Sequence, residues 1–147
     1  MRFVVGSDHA AVELREALVE RLRAWGHEVV GVLGPARSDE RTDYPDVAHE
    51  VARQVSAEPD LWGLLLCGSG QGMAMTANRH PDVRAVVCSE PYSAAMGRAH
   101  NDANVLCLGA RVVGPGLAET ILRAFVEGRF EGGRHGRRVA KIDAGAR

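Results

Sequence analysis

A cysteine followed by closely spaced glycines is the feature of this sequence that most favours chemistry. The segment Cys67-Gly68-Ser69-Gly70-Gln71-Gly72 comes directly after an apolar run of strand length. Glycines let the backbone approach a ligand, and the helix expected from Met73 to about His80 presents free N–H groups to an anion. A helix N-terminus favours the thiolate form of a neighbouring thiol, which makes Cys67 a candidate base or nucleophile.

Two histidines stand near predicted helix ends. Asp8 can cap the helix after the first strand, which puts His9 in its first turn, where the dipole favours a neutral imidazole. His100 falls at the C-terminal end of a later helix, where the imidazolium, a proton donor, is favoured. Both segments also have a purely structural interpretation. Asp8 can serve only as a helix cap, and His100 can be only a residue of the helix C-terminus, with Asn101 as the turn residue after it.

The glycine loop does not match the common nucleotide-binding motifs. It lacks the Gly-Lys-Ser/Thr ending of a Walker loop and is one residue short of the dinucleotide fingerprint. Glu90, after the fourth apolar run, does occupy the place of the acidic residue that grips a ribose in dinucleotide-binding folds. A nucleotide-binding module is therefore an alternative to an enzyme.

Apolar runs and helical stripes alternate along the chain and must position these residues. Continuous runs, typical of strands buried on both faces, are Phe3-Val4-Val5, Val29-Val30-Gly31-Val32, Leu64-Leu65-Leu66-Cys67, Ala85-Val86-Val87-Cys88 and Val105-Leu106-Cys107-Leu108. Helical spacing relates Leu14, Leu18, Leu22 and Trp25, then Val47, Val51 and Val55, then Leu117, Ile121, Leu122, Phe125 and Val126. This alternation predicts an α/β fold: a five-stranded parallel sheet between two helical layers, with the ligand site at the carboxyl ends of the strands.

The composition is that of an ordinary globular chain of 147 residues, with 46% hydrophobic and 25% charged residues. This length predicts a single domain over residues 1–147. No apolar run approaches the roughly 18 residues of a membrane span, and the N-terminal run is too short for a signal peptide. We therefore expect a cytoplasmic protein without a membrane partner. The three cysteines form no C-x-x-C pair, so they indicate neither a disulfide framework nor a zinc site, and we interpret Cys88 and Cys107 as core residues.

The formal net charge of −1 hides a basic C-terminal arm at about 128–147. The arm holds six basic and two acidic residues, so it carries +4 and leaves −5 for the rest of the chain. Such an arm is typical of a solvated tail or a nucleic-acid contact, and less often of a clamp for a small anion. The near-zero total argues against a nucleic-acid partner.

Six segments, taken in order, resemble the type B ribose-5-phosphate isomerases and the related galactose-6-phosphate isomerase subunits. They are Gly6-Ser7-Asp8-His9, Arg41-Thr42-Asp43-Tyr44-Pro45, Cys67-Gly68-Ser69-Gly70-Gln71-Gly72, His100-Asn101-Asp102-Ala103-Asn104-Val105-Leu106, Gly109-Ala110-Arg111-Val112-Val113-Gly114 and Glu131-Gly132-Gly133-Arg134-His135. The resemblance implies a Rossmann-like α/β/α sandwich that interconverts aldose and ketose phosphates without metal or cofactor. It also implies a homodimer, or a tetramer built from it, whose sites each use both subunits.

The resemblance also implies roles for individual residues. Cys67 is similar to the base that moves a proton between C1 and C2, Ser69 to its helper, and His100 to the acid that opens the furanose ring. The family's anion hole corresponds to Gly68, Gly70, Gln71 and Gly72. Hydroxyl-binding positions correspond to Asp8, His9 and Asn101, and substrate-holding positions to Arg111, Arg134 and Arg138, the last two at the phosphate. Tyr44 and His135 are two further candidates.

The loop departs from both branches of that family. One branch pairs the cysteine with a G-T-G loop, and the other replaces the cysteine by a glutamate at the start of the next helix and has G-S-G. This chain has Cys67 with Ser69, and Met73 stands where the glutamate would be. Since methionine cannot take a proton, Cys67 is the expected base. Ribose 5-phosphate is the leading substrate, and a tetrose or hexose phosphate, such as allose 6-phosphate or galactose 6-phosphate, is the alternative.

Overall fold

The structure is a computed structural model, and it describes residues 1–145. The strands are β1 Arg2–Ser7, β2 Glu28–Leu33, β3 Leu61–Cys67, β4 Ala85–Val87 and β5 Val105–Gly109. The helices are α1 Val12–Ala24, α2 Tyr44–Ala57, α3 Gln71–Ala77, α4 Pro91–Asn101, α5 Pro115–Glu127 and α6 Arg134–Ala144. A 3-10 turn, His9–Ala11, precedes α1. The predicted alternation of strand and helix is confirmed.

The five strands form one parallel sheet in the order β2-β1-β3-β5-β4. Helices α1, α4 and α5 pack on one face, and α2 and α3 pack on the other. The fold is therefore the predicted Rossmann-like three-layer α/β/α sandwich. Because the strands are parallel, all their carboxyl ends lie at one side of the sheet, here called the carboxyl edge; the opposite side is the amino edge.

The central strands are buried as their continuous apolar runs predict. Phe3, Leu64 and Leu106 face the α1 side, and alternate residues of the same strands face the α2 side. Cys88 and Cys107 are buried in these two clusters, which confirms their interpretation as core residues. Burial chiefly raises the pKa of Cys88 to about 11 and raises that of Cys107 well above its ordinary value.

Strand β2 corrects the prediction that all five strands are buried on both faces. It is an outermost strand of the sheet, with β1 as its one neighbouring strand, and its residues alternate between exposed and half-buried. Val30 and Val32 expose 39% and 43% of their surface. An edge strand has one neighbour and an incomplete helical cover, so an apolar run there does not require burial. Leu117 of the α5 stripe is likewise exposed, whereas Ile121 and Phe125 are buried.

The long polar loop between β2 and α2 is fastened to the end of β1 by a buried arginine. Arg15 of α1 donates to Ser7 Oγ at 3.1 Å and to the carbonyls of Leu33 and Pro35 at 3.2 and 2.9 Å. Gly34 has φ +106° and lies so close to the Ser7 carbonyl that a Cβ would be 2.0 Å from that oxygen. The loop is therefore held over the carboxyl edge.

Most of the basic C-terminal arm is an ordered helix rather than a solvated tail. Helix α6 packs against α4, buries His135 and Val139, and is tied near its end by Asp143, which accepts hydrogen bonds from Arg84. Arg147, the last base of the arm, lies outside the described residues. Within residues 1–145, no helix combines the length and apolarity needed to cross a bilayer.

Candidate active site

The Cys67 side chain lies at the carboxyl edge, where β3 ends and the glycine loop begins. It is 5% exposed, and its Sγ accepts a hydrogen bond from the Gly70 backbone N–H at 3.1 Å. The backbone of the glycine loop is therefore in direct contact with the sulfur. Ser69 Oγ accepts from the Gln71 N–H at 3.4 Å at the start of α3.

Close backbone contacts with the loop after β5 hold the glycine loop in place. The N–H groups of Ala110 and Arg111 donate to the carbonyls of Cys67 and Gly68 at 2.8 and 3.0 Å. A methyl group on Gly109 would lie 2.7 to 2.8 Å from the Ser69 backbone, so that position has room only for glycine. Gly70 has φ +80°, a conformation that glycine adopts without strain.

A cavity of about 480 Å³ opens in front of the Cys67 thiol. Its volume falls within the range of small-molecule sites. The Tyr44 ring forms one wall, and it packs so closely on Gly72 that a Cβ there would be 2.4 Å from the ring. The cavity is lined by Asp8, Tyr44, Cys67, Gly68, Ser69, Gly72, Arg111 and Val112. Seven residues predicted from the sequence are thus brought together in one chain.

The Asp8-His9 pair lies beside this cavity. Asp8 is buried, and its carboxylate accepts from the Ala10 N–H at 2.9 Å, so it caps the 3-10 turn; α1 itself begins later, at Val12. His9 lines a neighbouring cavity of about 370 Å³. Its Nδ1 lies 3.3 Å from both the N–H and the carbonyl oxygen of Thr42, a residue of the anchored polar loop.

His100 and Asn101 lie at the opposite side of the sheet. Helix α4 begins after β4 at the carboxyl edge and runs back over 11 residues, a length of about 16 Å. It ends beside the starts of β3 and β5, where the Asn104 carbonyl accepts from the Gly63 N–H. The residue that turns the chain after α4 is Asp102, with φ 48°, so the structural alternative that made Asn101 the turn residue is wrong.

The C-terminal arginines join His100 at the amino edge. Glu131 donates its backbone N–H to the Ala99 carbonyl at 3.0 Å, which places the start of α6 beside the end of α4. Arg134 and Arg138 follow on one exposed face of α6, since residues four apart share a helix face. Within this chain, neither arginine lines the cavity in front of Cys67.

The imidazoles of His100 and His135 stack at this edge, with ring centroids 4.3 Å apart and an interplanar angle of 3°. The Glu131 carboxylate lies 3.9 Å from His100 Nε2 and 3.6 Å from His135 Nε2. Burial, followed by the neighbouring His100 ring, lowers the pKa of His135. His135 is therefore neutral near pH 7.

Glu90 does not fill the role that a nucleotide-binding module requires. Its carboxylate accepts from the N–H groups of Tyr92 and Ser93 at 2.6 and 2.8 Å, so it is the N-cap of α4. A hydrogen bond with the Ser93 side chain, followed by these two backbone bonds, lowers the pKa of Glu90. A capping carboxylate with both oxygens engaged is poorly suited to grip a ribose, which weakens the nucleotide-binding alternative.

Two residues of this region were missed at the level of sequence. Val112 lines the cavity in front of Cys67, and nothing in its residue type or spacing indicated this. Arg15 anchors the polar loop that contacts His9. Its signal was its place among the buried residues Val12, Val19 and Leu22, where a charged side chain on an apolar helix stripe requires polar partners.

Comparison with known proteins extends over nearly the whole chain. Residues 3–142 match the sequence model of a family described as Ribose/Galactose Isomerase. The chain belongs to the ribose/galactose isomerase family. Within it, the chain is 45% identical to ribose-5-phosphate isomerase B of Escherichia coli (strain K12), over 97% of this chain and 95% of that protein. It is 37% identical to D-erythrulose-4-phosphate isomerase of Pectobacterium atrosepticum, over 97% and 93%.

A solved structure of the family has the same fold. Ribose-5-phosphate isomerase B from Mycoplasma genitalium, solved with bound ribulose-5-phosphate, superposes with a TM-score of 0.93. The two chains are 39% identical, and the match covers 97% of this chain and 94% of that one. Membership in this family makes the chain an aldose–ketose isomerase, as the sequence predicted.

Proposed function

We propose that this protein interconverts ribose 5-phosphate and ribulose 5-phosphate by a metal-free proton transfer. The observation that carries the proposal is the Cys67 thiol, which accepts the Gly70 N–H and faces a cavity shared with Asp8 and Arg111. A 1,2-proton shift needs one base within reach of both carbons and fixed donors at the oxygen where charge develops. The thiol and the glycine loop provide these two requirements within one chain.

In this mechanism His100 gives a proton to the ring oxygen, the O1 hydroxyl releases its proton to water, and the bond from C1 to the ring oxygen breaks, so the furanose opens to the aldehyde. The Cys67 thiolate then removes the proton from C2, and the resulting enediolate carries its charge on O1. Backbone N–H groups of the Gly68-Ser69-Gly70-Gln71-Gly72 loop stabilise that oxygen, with Ser69 as an additional donor. The O2 proton passes to O1, and return of the same proton from Cys67 to C1 gives the ketose.

The amino-edge residues reach a Cys67 cavity only if they belong to another copy of the chain. His100, Arg134 and Arg138 are separated from Cys67 of their own chain by about the height of the sheet, 16 Å. We therefore propose a homodimer, or a tetramer made of two such dimers. In each dimer, His100, Asn101 and the α6 arginines of one chain complete the site of its partner. Two guanidinium groups suit a phosphate dianion.

The size of the sugar is a separate part of the proposal, and it depends on the residue at position 69. Ser69 lacks the methyl group of threonine, so the loop leaves more room beside the thiol than a G-T-G loop would. A tetrose or hexose phosphate is the alternative substrate, and the relative named D-erythrulose-4-phosphate isomerase supports testing the smaller sugar. A panel of tetrose, pentose and hexose phosphates, ranked by kcat/KM, discriminates; ribose 5-phosphate at the bottom would contradict the first choice.

The chemistry is tested by Cys67→Ala, assayed for ketose formation from ribose 5-phosphate in EDTA. Loss of the only general base is expected to lower kcat by about 10³-fold. The matched control is Cys88→Ala, because burial raises the pKa of Cys88 to about 11 and that residue cannot act as a base near neutral pH. Near wild-type turnover by Cys67→Ala, or loss of wild-type activity in EDTA, would rule out the mechanism.

The shared site is tested by mixing Cys67→Ala chains with His100→Asn chains. Random hybrids restore one intact site in half of the dimers, so the mixture should reach about 25% of wild-type activity. Mixing Cys67→Ala with Arg111→Ala is the control, since both residues line one chain's cavity and no hybrid regains an intact site. No recovery in the first mixture would contradict the shared site.

A further inference from the structure

Three potential metal ligands meet at the amino edge, outside the Cys67 cavity of their own chain. They are His100 at the end of α4, Glu131 before α6 and His135 in the first turn of α6. One ligand atom from each lies within 4.8 Å of the other two. Glu131 Oε2 lies 3.9 Å from His100 Nε2 and 3.6 Å from His135 Nε2, so the carboxylate bridges the two imidazoles.

A second observation concerns His135 alone. Its side chain is 7% exposed, and its Nε2 is buried without any hydrogen-bond partner among the described residues. Buried polar atoms are normally paired, so an orphaned imidazole nitrogen indicates a missing partner. That nitrogen is the one closest to the Glu131 carboxylate. The missing partner is therefore expected on the side where the three ligand atoms converge.

The chemistry of the three groups defines which partner fits. Two neutral imidazole nitrogens and one carboxylate suit first-row divalent ions such as Zn²⁺, with bonds of about 2.0 to 2.2 Å. Ligand atoms on one tetrahedral ion are about 3.4 Å apart, so the two Glu131 distances need only small movements. The stacked rings must tilt toward each other, and His100, 37% exposed at its side chain, has the freedom to do so.

The surrounding charges favour an occasional site over a permanent one. Arg134 and Arg138 lie close to His135 on α6. The same two cations repel a dication, and only Glu131 offsets them within the cluster. This repulsion weakens the affinity that two imidazoles and one carboxylate would otherwise give, so the cluster suits reversible binding.

We propose that His100, Glu131 and His135 form a binding site for a divalent transition-metal ion, with Zn²⁺ as the representative ligand. The ion acts as a reversible inhibitor rather than as a cofactor. Its bond to His100 Nε2 occupies the imidazole that, in the proposed function, donates the ring-opening proton. The inhibition rests on that proposed function, whereas the binding does not.

Binding is measured without substrate on the full-length protein. Calorimetry with Zn²⁺ should give one ion per chain for the wild type. Co²⁺ should develop the intense visible absorption that accompanies imidazole ligation in a low-coordinate site. Glu131→Gln, a change at an exposed side chain, should weaken Zn²⁺ binding by about tenfold or more, and His135→Gln should do the same if it folds.

The matched control is His49→Gln. His49 and His80 form the other close histidine pair of the described chain, with Nδ1 and Nε2 2.8 Å apart on the surface and no carboxylate between them. This variant should bind Zn²⁺ like the wild type. Unchanged Zn²⁺ affinity in Glu131→Gln, loss of binding in His49→Gln, or no saturable binding in the wild type would each overturn the site.

Inhibition is measured separately. Zn²⁺ should lower the isomerase rate of the wild type, EDTA should restore it, and Glu131→Gln should need about tenfold more Zn²⁺ for the same fractional loss. Saturable Zn²⁺ binding with full activity would overturn the inhibitory role while leaving the site. A wild type with no isomerase activity would instead refute the proposed function, and the calorimetric result would still decide the site.

Discussion

The carboxyl and amino edges of the sheet hold their functional residues by different means. At the carboxyl edge, Cys67 and Ser69 are on loops whose backbones are in direct contact, and a missing side chain at Gly109 is what allows that contact. At the amino edge, His100 and Arg134 are on helices joined through buried arginines and carboxylates. The first edge is positioned by backbone packing and the second by charged side chains.

This difference separates the part of the proposed site that one chain encloses from the part that the proposal assigns to a partner. The carboxyl edge encloses a cavity with a thiol, a carboxylate and a guanidinium. The amino edge instead presents an exposed row of cations beside a stacked histidine pair, which suits a surface that meets another molecule. Disturbing the backbone contacts at the carboxyl edge should therefore lower kcat, and disturbing the charge pairs that hold the amino edge should lower the free energy of unfolding.

The largest expected effect is on stability, from Arg98→Ala. The buried Arg98 guanidinium donates to Asp102 Oδ1 at 2.8 Å and to the Ala103 carbonyl at 2.7 Å, and it stacks 3.9 Å above the Trp62 ring. Its removal leaves Asp102 with Arg84 as its one cationic partner within residues 1–145, so we expect a loss of about 3 kcal/mol in the free energy of unfolding.

The measurement for this prediction is urea denaturation, with Arg123→Ala as the control. Arg123 also stacks on a tryptophan, at 4.3 Å from the Trp25 ring, but half of its side chain is exposed. Its loss should cost about 1 kcal/mol at most. Equal losses in the two variants would contradict the view that buried charge pairing holds the amino edge.

The next effect is on catalysis, from Gly109→Ala. The added methyl group would lie 2.7 Å from the Ser69 carbonyl carbon, and the displaced loop should lower kcat by about 10²-fold. Gly116→Ala in α5 is the control, because nothing lies within 4 Å of its Cβ position. Steady-state kinetics check both variants. A Gly109→Ala enzyme with normal kcat would show that backbone contact does not set the carboxyl edge.

A smaller effect is the dependence of stability on pH. Burial lowers the pKa of His135 in the folded state, so on acidification the unfolded chain takes up the proton first, near its ordinary value of about 6.5. The contribution of His135 is complete above that value and is lost as pH falls toward the folded-state pKa. His27 and His80, whose pKa values are also lowered chiefly by burial, act with the same sign.

Denaturation at about pH 7.5 and about pH 5.5 checks this dependence. The wild type should lose stability at the lower pH, and His135→Gln should lose less, with the remainder due to the other two histidines. An identical pH dependence in wild type and His135→Gln would show that His135 does not contribute to the pH dependence of stability. Greater stability of the wild type at the lower pH would reverse the sign and contradict it.

The smallest expected effect is on substrate choice, from Ser69→Thr at the carboxyl edge. The side chain is exposed in the cavity, so one added methyl group should change the kcat/KM ratio between tetrose and hexose phosphates by about tenfold or less. The larger sugar should suffer more. The matched control is Thr76→Ser, the reverse change on α3, which should leave the ratio unaltered. Equal effects on kcat/KM for all sugars would show that the residue at position 69 does not select substrates by size.

Much of the carboxyl edge could be predicted from sequence because its signals are local. The glycines around Ser69, the apolar run that ends at Cys67 and the cap at Asp8 each depend on neighbours within a few residues. The exposure of Val30 could not be predicted, since an edge strand and a central strand have the same apolar run. The sequence also could not show that Asp102, and not Asn101, is the turn residue after α4, because both residue types tolerate positive φ.

The sequence by itself determined the alternation of strands and helices and the loops that follow each strand, because hydrophobic periods and turn residues act over short distances. Only the tertiary structure decided which functional residues share a surface. Helix α4 returns to the amino edge and α6 docks against it, so His100 meets His135 and Glu131 instead of its own Cys67. That choice depends on long-range packing of helix faces, for which no local pattern of residues exists.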